Sequence, residues 1–305
     1  MKHIKFIISL LVLIGIFYSC DEDSFTTIKE LKLPEHEKKL AVFSKIYGSN
    51  CEIFVSHSKS SDDTSNYKLI KANIILRKNN KEFFSFVYPD DMIVGGFISP
   101  TIQLPQSVNK GEKYTLEVIS DELGTAKASQ TVPRIPVITD ISYKEKFYIE
   151  KYDTLDQLEF KIVDPGNEEN FYFFNFRPTT YTIKKYHLYL STQTDDPIIK
   201  STYRDTENGF IISDKTFDGE KRNITMKLGY YLNSPSTGEN VSFDTILINI
   251  KGLSKDYYNF LISKIQYDQS GENPFAEPVN IYSNIENGYG LFSIENPELK
   301  VLKLK

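Results

Sequence analysis

The chain has 305 residues, 40% hydrophobic, 25% charged and 13% aromatic, which is the composition of a folded globular protein and not of a disordered, collagenous or coiled-coil one. Its 36 basic and 41 acidic residues leave a formal charge of -5, so the basic footprint that neutralises phosphates is missing and nucleic acid is excluded as a partner. Two cysteines are too few for a disulfide framework or a cysteine-rich zinc site, and the aromatic content is 20 Tyr and 21 Phe with no Trp.

The first residues form a targeting segment. Lys2 and Lys5 precede an apolar run over 6–18, the length of a signal-peptide core and short of the ~20 residues of a membrane-spanning helix. The run ends at Phe17-Tyr18-Ser19-Cys20, with a small residue before the cysteine, and Asp21-Glu22-Asp23 follow. This resembles a bacterial lipobox, in which the chain is cut before the cysteine and the cysteine is acylated. Cys20 is therefore the expected lipidation site and residues 1–19 the signal peptide. Buried acyl chains, at ~0.8 kcal/mol per CH₂, anchor such a protein firmly to a bilayer. Cleavage removes two of the 36 basic residues and none of the acidic ones, which moves the charge from -5 to -7. The acidic run after Cys20 resembles the signal that sends lipoproteins of the Bacteroidota to the outer cell surface. The expected location is thus the outer membrane, lipid-anchored and facing the cell surface, with the inner face of that membrane as the alternative.

Residues 20–39 are mostly charged or polar, with too few apolar side chains for a core, and read as a tether of up to ~60 Å at ~3.3–3.6 Å per residue. From Leu40 the pattern turns to short β-rich runs at 40–46, 51–56, 70–76, 83–88, 114–120 and 126–132, separated by turn sequences such as Lys78-Asn79-Asn80-Lys81. Tyr114, Leu116 and Val118 alternate with Thr115, Glu117 and Ile119 as in a half-buried strand. Cys51 shares its face with Ile53 and Val55 and reads as a small buried hydrophobe. Six or seven strands in about 100 residues predict an immunoglobulin-like β-sandwich over residues 40–135.

Pro133 and Pro136 mark the expected domain boundary, because proline donates nothing to a sheet ladder and restricts the residue before it. Residues 136–305 then read as a second, β-rich domain with strands at 158–163, 171–176, 186–191, 224–232 and 243–251. One segment changes period. Ser254 can cap a helix over 255–267, in which Tyr257, Leu261 and Ile265 recur every four residues beside Tyr258 and Ile262. The fold class expected is mainly β, an N-terminal sandwich followed by a β-rich domain with at least one packed helix.

No catalytic motif emerges. His36, His57 and His187 stand without a metal-ligand partner at suitable spacing, and there is no nucleophile elbow, phosphate loop or dinucleotide fingerprint. Asp164-Pro165-Gly166-Asn167-Glu168-Glu169-Asn170 offers oxygens that calcium accepts, but it lacks the spacing of a calcium loop and reads as a turn. No catalytic residue, metal or cofactor is expected. Asp153-Thr154-Leu155 and Asp244-Thr245-Ile246 match the Asp-Thr-aliphatic acceptor pattern of O-glycosylation in Bacteroidota, at Thr154 and Thr245.

The stretch from Asn273-Pro274-Phe275 to Asn287-Gly288-Tyr289-Gly290-Leu291-Phe292 resembles the closing signature of a Bacteroidota lipoprotein family, the domain-of-unknown-function family numbered 4249. The lipobox, Ala72-Asn73-Ile74, Gly111-Glu112-Lys113-Tyr114, the Pro133 to Pro136 junction, the Asp164 turn and Phe217-Asp218-Gly219 follow in the family's order. Within the signature, Asn287, Gly288 and Gly290 are expected to hold backbone geometry, with Asn287-Gly288 as a two-residue hairpin turn. The resemblance implies a non-catalytic accessory or binding lipoprotein that partners an outer-membrane transporter driven by TonB. A stand-alone adhesion or structural surface module is the alternative, and a hydrolase comes third.

Overall fold

A computed structural model describes residues 36–60, 63–65, 70–88, 101–150, 153–179, 188–202, 209–232, 245–271, 277 and 279–304. Residues 38–305 form one compact unit, mainly β with several sheets. The first strands run as β1 (Leu40–Tyr47), β2 (Asn50–His57), β3 (Ala72–Lys78), β4 (Lys81–Tyr88), β5 (Thr101–Gln103), β6 (Lys113–Ser120) and β7 (Gly124–Thr131). Beyond the prolines come β8 (Val137–Glu150), β9 (Asp153–Val163), β10 (Phe171–Thr179), β11 (Leu188–Gln193), β12 (Lys200–Thr202), β13 (Gly209–Ser213), β14 (Lys221–Leu232) and β15 (Thr245–Leu253). Helix α1 (Lys255–Gly271) and β16 (Gly288–Lys303) complete the described elements.

Local chemistry accounts for many of these boundaries. Asn79 and Asn80 close the β3–β4 hairpin at φ of 48° and 68°, a conformation that Asn tolerates better than most residues. The Tyr257 amide donates to the Ser254 hydroxyl at 3.3 Å, which caps α1.

Three sheets result. Eight strands in the order β12-β13-β10-β15-β16-β1-β2-β5 form a long central sheet, and two four-stranded sheets, β4-β3-β6-β7 and β11-β14-β9-β8, complete the set. The first small sheet packs on one end of the long sheet, where Leu40, Val42, Ile53, Val55 and Phe292 meet Ile74, Leu116 and Val118. The second packs on the other end, where Phe174, Ile248 and Phe210 meet Leu158, Phe160 and Met226. Phe160 and Phe174 cross edge to face at 5.5 Å. The opposite face of the long sheet carries Phe171, Phe173, Ile211 and Leu253, and there α1 lays down Tyr257, Tyr258, Leu261, Ile262 and Ile265. The four-residue spacing is thus a packing stripe, and the Tyr258 ring stacks on Phe171 at 4.5 Å.

The long sheet continues through β16. Gly288 to Glu295 pair in parallel with β1, and Glu295 to Lys303 pair antiparallel with β15, so one sheet spans both sides of the Pro133–Pro136 junction. Neither β16 nor β8 stands out in the sequence, because Gly288, Gly290, Asn296 and Pro297 interrupt the first and the second follows directly on two prolines. Pro297 is tolerated because past Glu295 the strand has a paired neighbour on one side only.

At the changeover Glu295 is opposite both Tyr47 and Leu253, and its carboxylate meets the Lys251 ammonium at 2.9 Å, with the side chains 3% and 5% exposed. Lys251 also lies over the Phe173 ring at 5.1 Å. Removing one partner of such a pair leaves an uncompensated buried charge. Lys251→Met is expected to cost about 3–5 kcal/mol, and Lys251→Met with Glu295→Leu to recover most of it. Urea unfolding reads both, and an unchanged midpoint for the single variant would contradict this account.

Candidate functional site

Among the described residues, three carboxylates converge where two turns meet at the end of the second layer pair. Asp164, at the close of β9, comes within 4.8 Å of Asp214 and Asp218, which precede β14. The turns fit because both carry glycine at their contact. A Cβ on Gly166 would lie 2.8 Å from the Gly219 Cα, and Gly219 itself has a φ of 76°. Asn167 takes a φ of 67° in the first turn.

Hydrogen bonds tie the turns together. The Asp164 carboxylate accepts from the Tyr172 hydroxyl and from the Gly219 amide, the latter at 2.8 Å. Asp218 accepts from the Asn167 amide at 2.9 Å, and Asp214 from the Asn170 backbone and side-chain amides at 2.7 and 3.2 Å. Glu168 pairs with Arg134, and Glu169 with Lys255 of α1, so the loop is also held on its flanks. Burial above all, with the charges of Asp164 and Asp218, raises the Asp214 carboxyl above its ordinary range, against the lowering pull of the Asn170 bonds. Burial and the neighbouring Asp164 likewise raise the Tyr172 hydroxyl.

Three carboxylates are hard ligands of the kind a divalent cation takes, although calcium asks for about six to eight oxygens. Here each carboxylate already accepts hydrogen bonds from the opposing turn or a neighbouring side chain, which makes the cluster a clasp between β9–β10 and β13–β14. Sequence reading singled out the Asp164 turn and the Asp218-Gly219 turn separately. It did not single out Asp214, which has no local motif.

The C-terminal signature works in a similar way. The Asn284 side-chain amide brackets the Phe292 backbone, donating to its carbonyl at 2.8 Å and accepting from its amide at 2.9 Å. The Tyr282 amide donates to the Ser263 hydroxyl of α1 at 2.8 Å, and the Tyr282 and Asn284 side chains both reach Asp256 in the first helical turn. Glu286 forms a two-way backbone bridge with Lys127 of β7. The positive φ belongs to Asn287, at 57°, and to Gly290, at 115°, and the segment leads into a strand parallel to β1 instead of turning back as a hairpin. Gly288 is small for a different reason, since a Cβ there would lie 2.6 Å from the Leu40 carbonyl oxygen.

Cys20 and His187 lie outside the described residues. Cys51 is buried beside the Ser44 hydroxyl at 3.7 Å, and burial pushes its thiol up to about 11. Thr154 is exposed at the start of β9, whereas Thr245 at the start of β15 is half-buried. The His57 ring faces the Ser58 carbonyl at 3.0 Å, and among the described residues it belongs to no group of three or more metal-ligating side chains.

Two outcomes follow from this geometry. Gly288→Val should lower the melting temperature by the several degrees that a backbone clash of a few kcal/mol implies, and an unchanged value would remove the steric account. A carboxyl whose folded pKa exceeds its unfolded value gives stability that is complete below the unfolded pKa and is lost as pH rises through the folded one. For Asp214 that window opens at the ordinary value of 3.8 and extends upward from it. Asp214→Asn should flatten this part of the stability profile and raise the melting temperature at neutral pH. A calcium-induced rise in the native protein that the variant abolishes would mark a cation site instead.

Comparison with protein-family models matches residues 26–299 to the family described as Domain of unknown function (DUF4249). No curated protein matches. The matched span begins within the segment read as a tether and takes in the clasp and the signature, and the chain belongs to the DUF4249 family.

Proposed function

We propose that this chain is a lipid-anchored accessory protein of the outer membrane, exposed at the cell surface, binding rather than catalytic, and working beside a transporter driven by TonB. The observation that carries the reading is the order of parts. Cys20, in its lipobox setting, precedes in sequence the compact body that begins at Lys38, so the whole fold follows the acylation site along the chain. The body is acidic, which keeps it off anionic bilayer surfaces and free to meet a partner. The same reading takes the layer pair built on β1 and β2 as immunoglobulin-like, a scaffold whose end loops present binding residues.

Mass spectrometry of the mature protein is expected to find lipid on Cys20, and an unmodified Cys20 overturns the anchor. Crosslinking of a tagged full chain in its native host is expected to recover an outer-membrane transporter. Repeated recovery of none overturns the partnership and leaves the stand-alone surface module.

A further inference from the structure

A pocket of about 350 Å³ opens where the two layer pairs adjoin, within the range of roughly 300–1,000 Å³ that small-ligand sites occupy. Its walls are apolar. Val108, Pro136, Val163 and Pro165 line it together with Tyr172, whose hydroxyl is already taken up by Asp164. Ile135 and Val137 join them while remaining 44% and 55% exposed. These are large apolar side chains left uncovered beside a concave surface.

The charge of the lining runs against that of the chain. In a protein of net charge -5, the described lining residues include Lys110 and Arg134 and no carboxylate. Glu112, the acid nearest Lys110 in sequence, is matched to Lys78 at 2.6 Å and to the Tyr114 hydroxyl at 2.8 Å. Arg134 meets Glu168 through its Nε. Among the described residues Lys110 makes no ion pair, so its ammonium is the charge left for a ligand to neutralise, while the nearby Asp164 carboxylate is turned to the Tyr172 hydroxyl and the Gly219 amide.

The rim is built, too. The Gly111 amide donates to the Val132 carbonyl at 3.0 Å and the Val108 amide to the Gly48 carbonyl at 2.9 Å, which fixes the turn bearing Lys110. The Asn296 side chain donates to the Pro133 carbonyl at 2.9 Å, and a Cβ on Gly252 would lie only 1.9 Å from the Arg134 carbonyl oxygen. The Pro133–Pro136 linker is thereby pinned across the long sheet.

We propose that this pocket binds a small monoanion with an apolar body, a short aliphatic or aromatic carboxylic acid, with Lys110 and Arg134 taking the carboxylate and the proline and valine walls taking the body. The inference rests on the reading of the chain as a binding component, but not on its anchor or its partner. Failure here leaves transporter capture intact, and failed capture leaves this binding intact.

Titration calorimetry on the purified full chain, with benzoate and hexanoate against benzamide and hexanamide, tests it. At least one acid should bind saturably, and its amide about tenfold more weakly or worse. Lys110→Ala should weaken the acid about tenfold. Val137→Glu, which sets a carboxylate in the exposed wall, should abolish it, and both variants should keep the native melting temperature. Absence of saturable binding by either acid overturns the proposal, as does equal binding of acid and amide or an affinity that Lys110→Ala leaves unchanged.

Discussion

β16 belongs to two pairings at once, and the rest of the molecule is arranged around that fact. Its first half runs parallel to β1 and its second half antiparallel to β15, with Glu295 in register with both neighbours. One face of the strand gives Phe292 and Ile294 to the first core and Leu302 to the second. Because side chains alternate strictly along a strand, a slip of one residue would take that face out of both cores together. The register is therefore specified twice over. Close backbone approach is part of the same constraint, since a Cβ on Gly290 would lie 2.0 Å from the Val42 carbonyl oxygen.

Seen from this strand, the signature at the C-terminus is joinery. Asn284 grips the Phe292 backbone, Tyr282 ties the segment to α1, and Glu286 bridges to β7, so the approach to β16 is fixed on three sides. The aspartate clasp does comparable work in the second layer pair, beside the Pro133–Pro136 linker. Polar residues in both places are engaged by backbone amides and carbonyls of this chain. Residues that recognise something outside the chain are better sought where donors and apolar surface remain uncovered, as around Lys110 and Val137.

How much of this could be read from the sequence depended on whether the signal was local. A short β-rich run located β1, alternation located β2 and β6, the Asn79-Asn80 pair located a turn, and the Ser254 cap with its four-residue stripe located α1. Each rests on residues within about one turn or one strand of each other. β16 was hidden because glycine and proline, which usually end strands, are here required by close backbone contact and permitted by a one-sided ladder. The parallel pairing of β1 with β16 left no trace either, being a relation between segments that no short window contains. Asp214 was missed for the same reason, since only the fold brings it to Asp164.

The direction of β1 has a mechanical consequence. The strand lies between β16 and β2, and the chain enters it at Leu40. Any pull arriving from the N-terminal side, as through a membrane tether, acts along the strand axis. The ladder bonds to both neighbours run across that axis and must yield together, in shear, instead of opening one after another like a zip. A body held at its N-terminus would thus meet drag through a strand gripped on both sides.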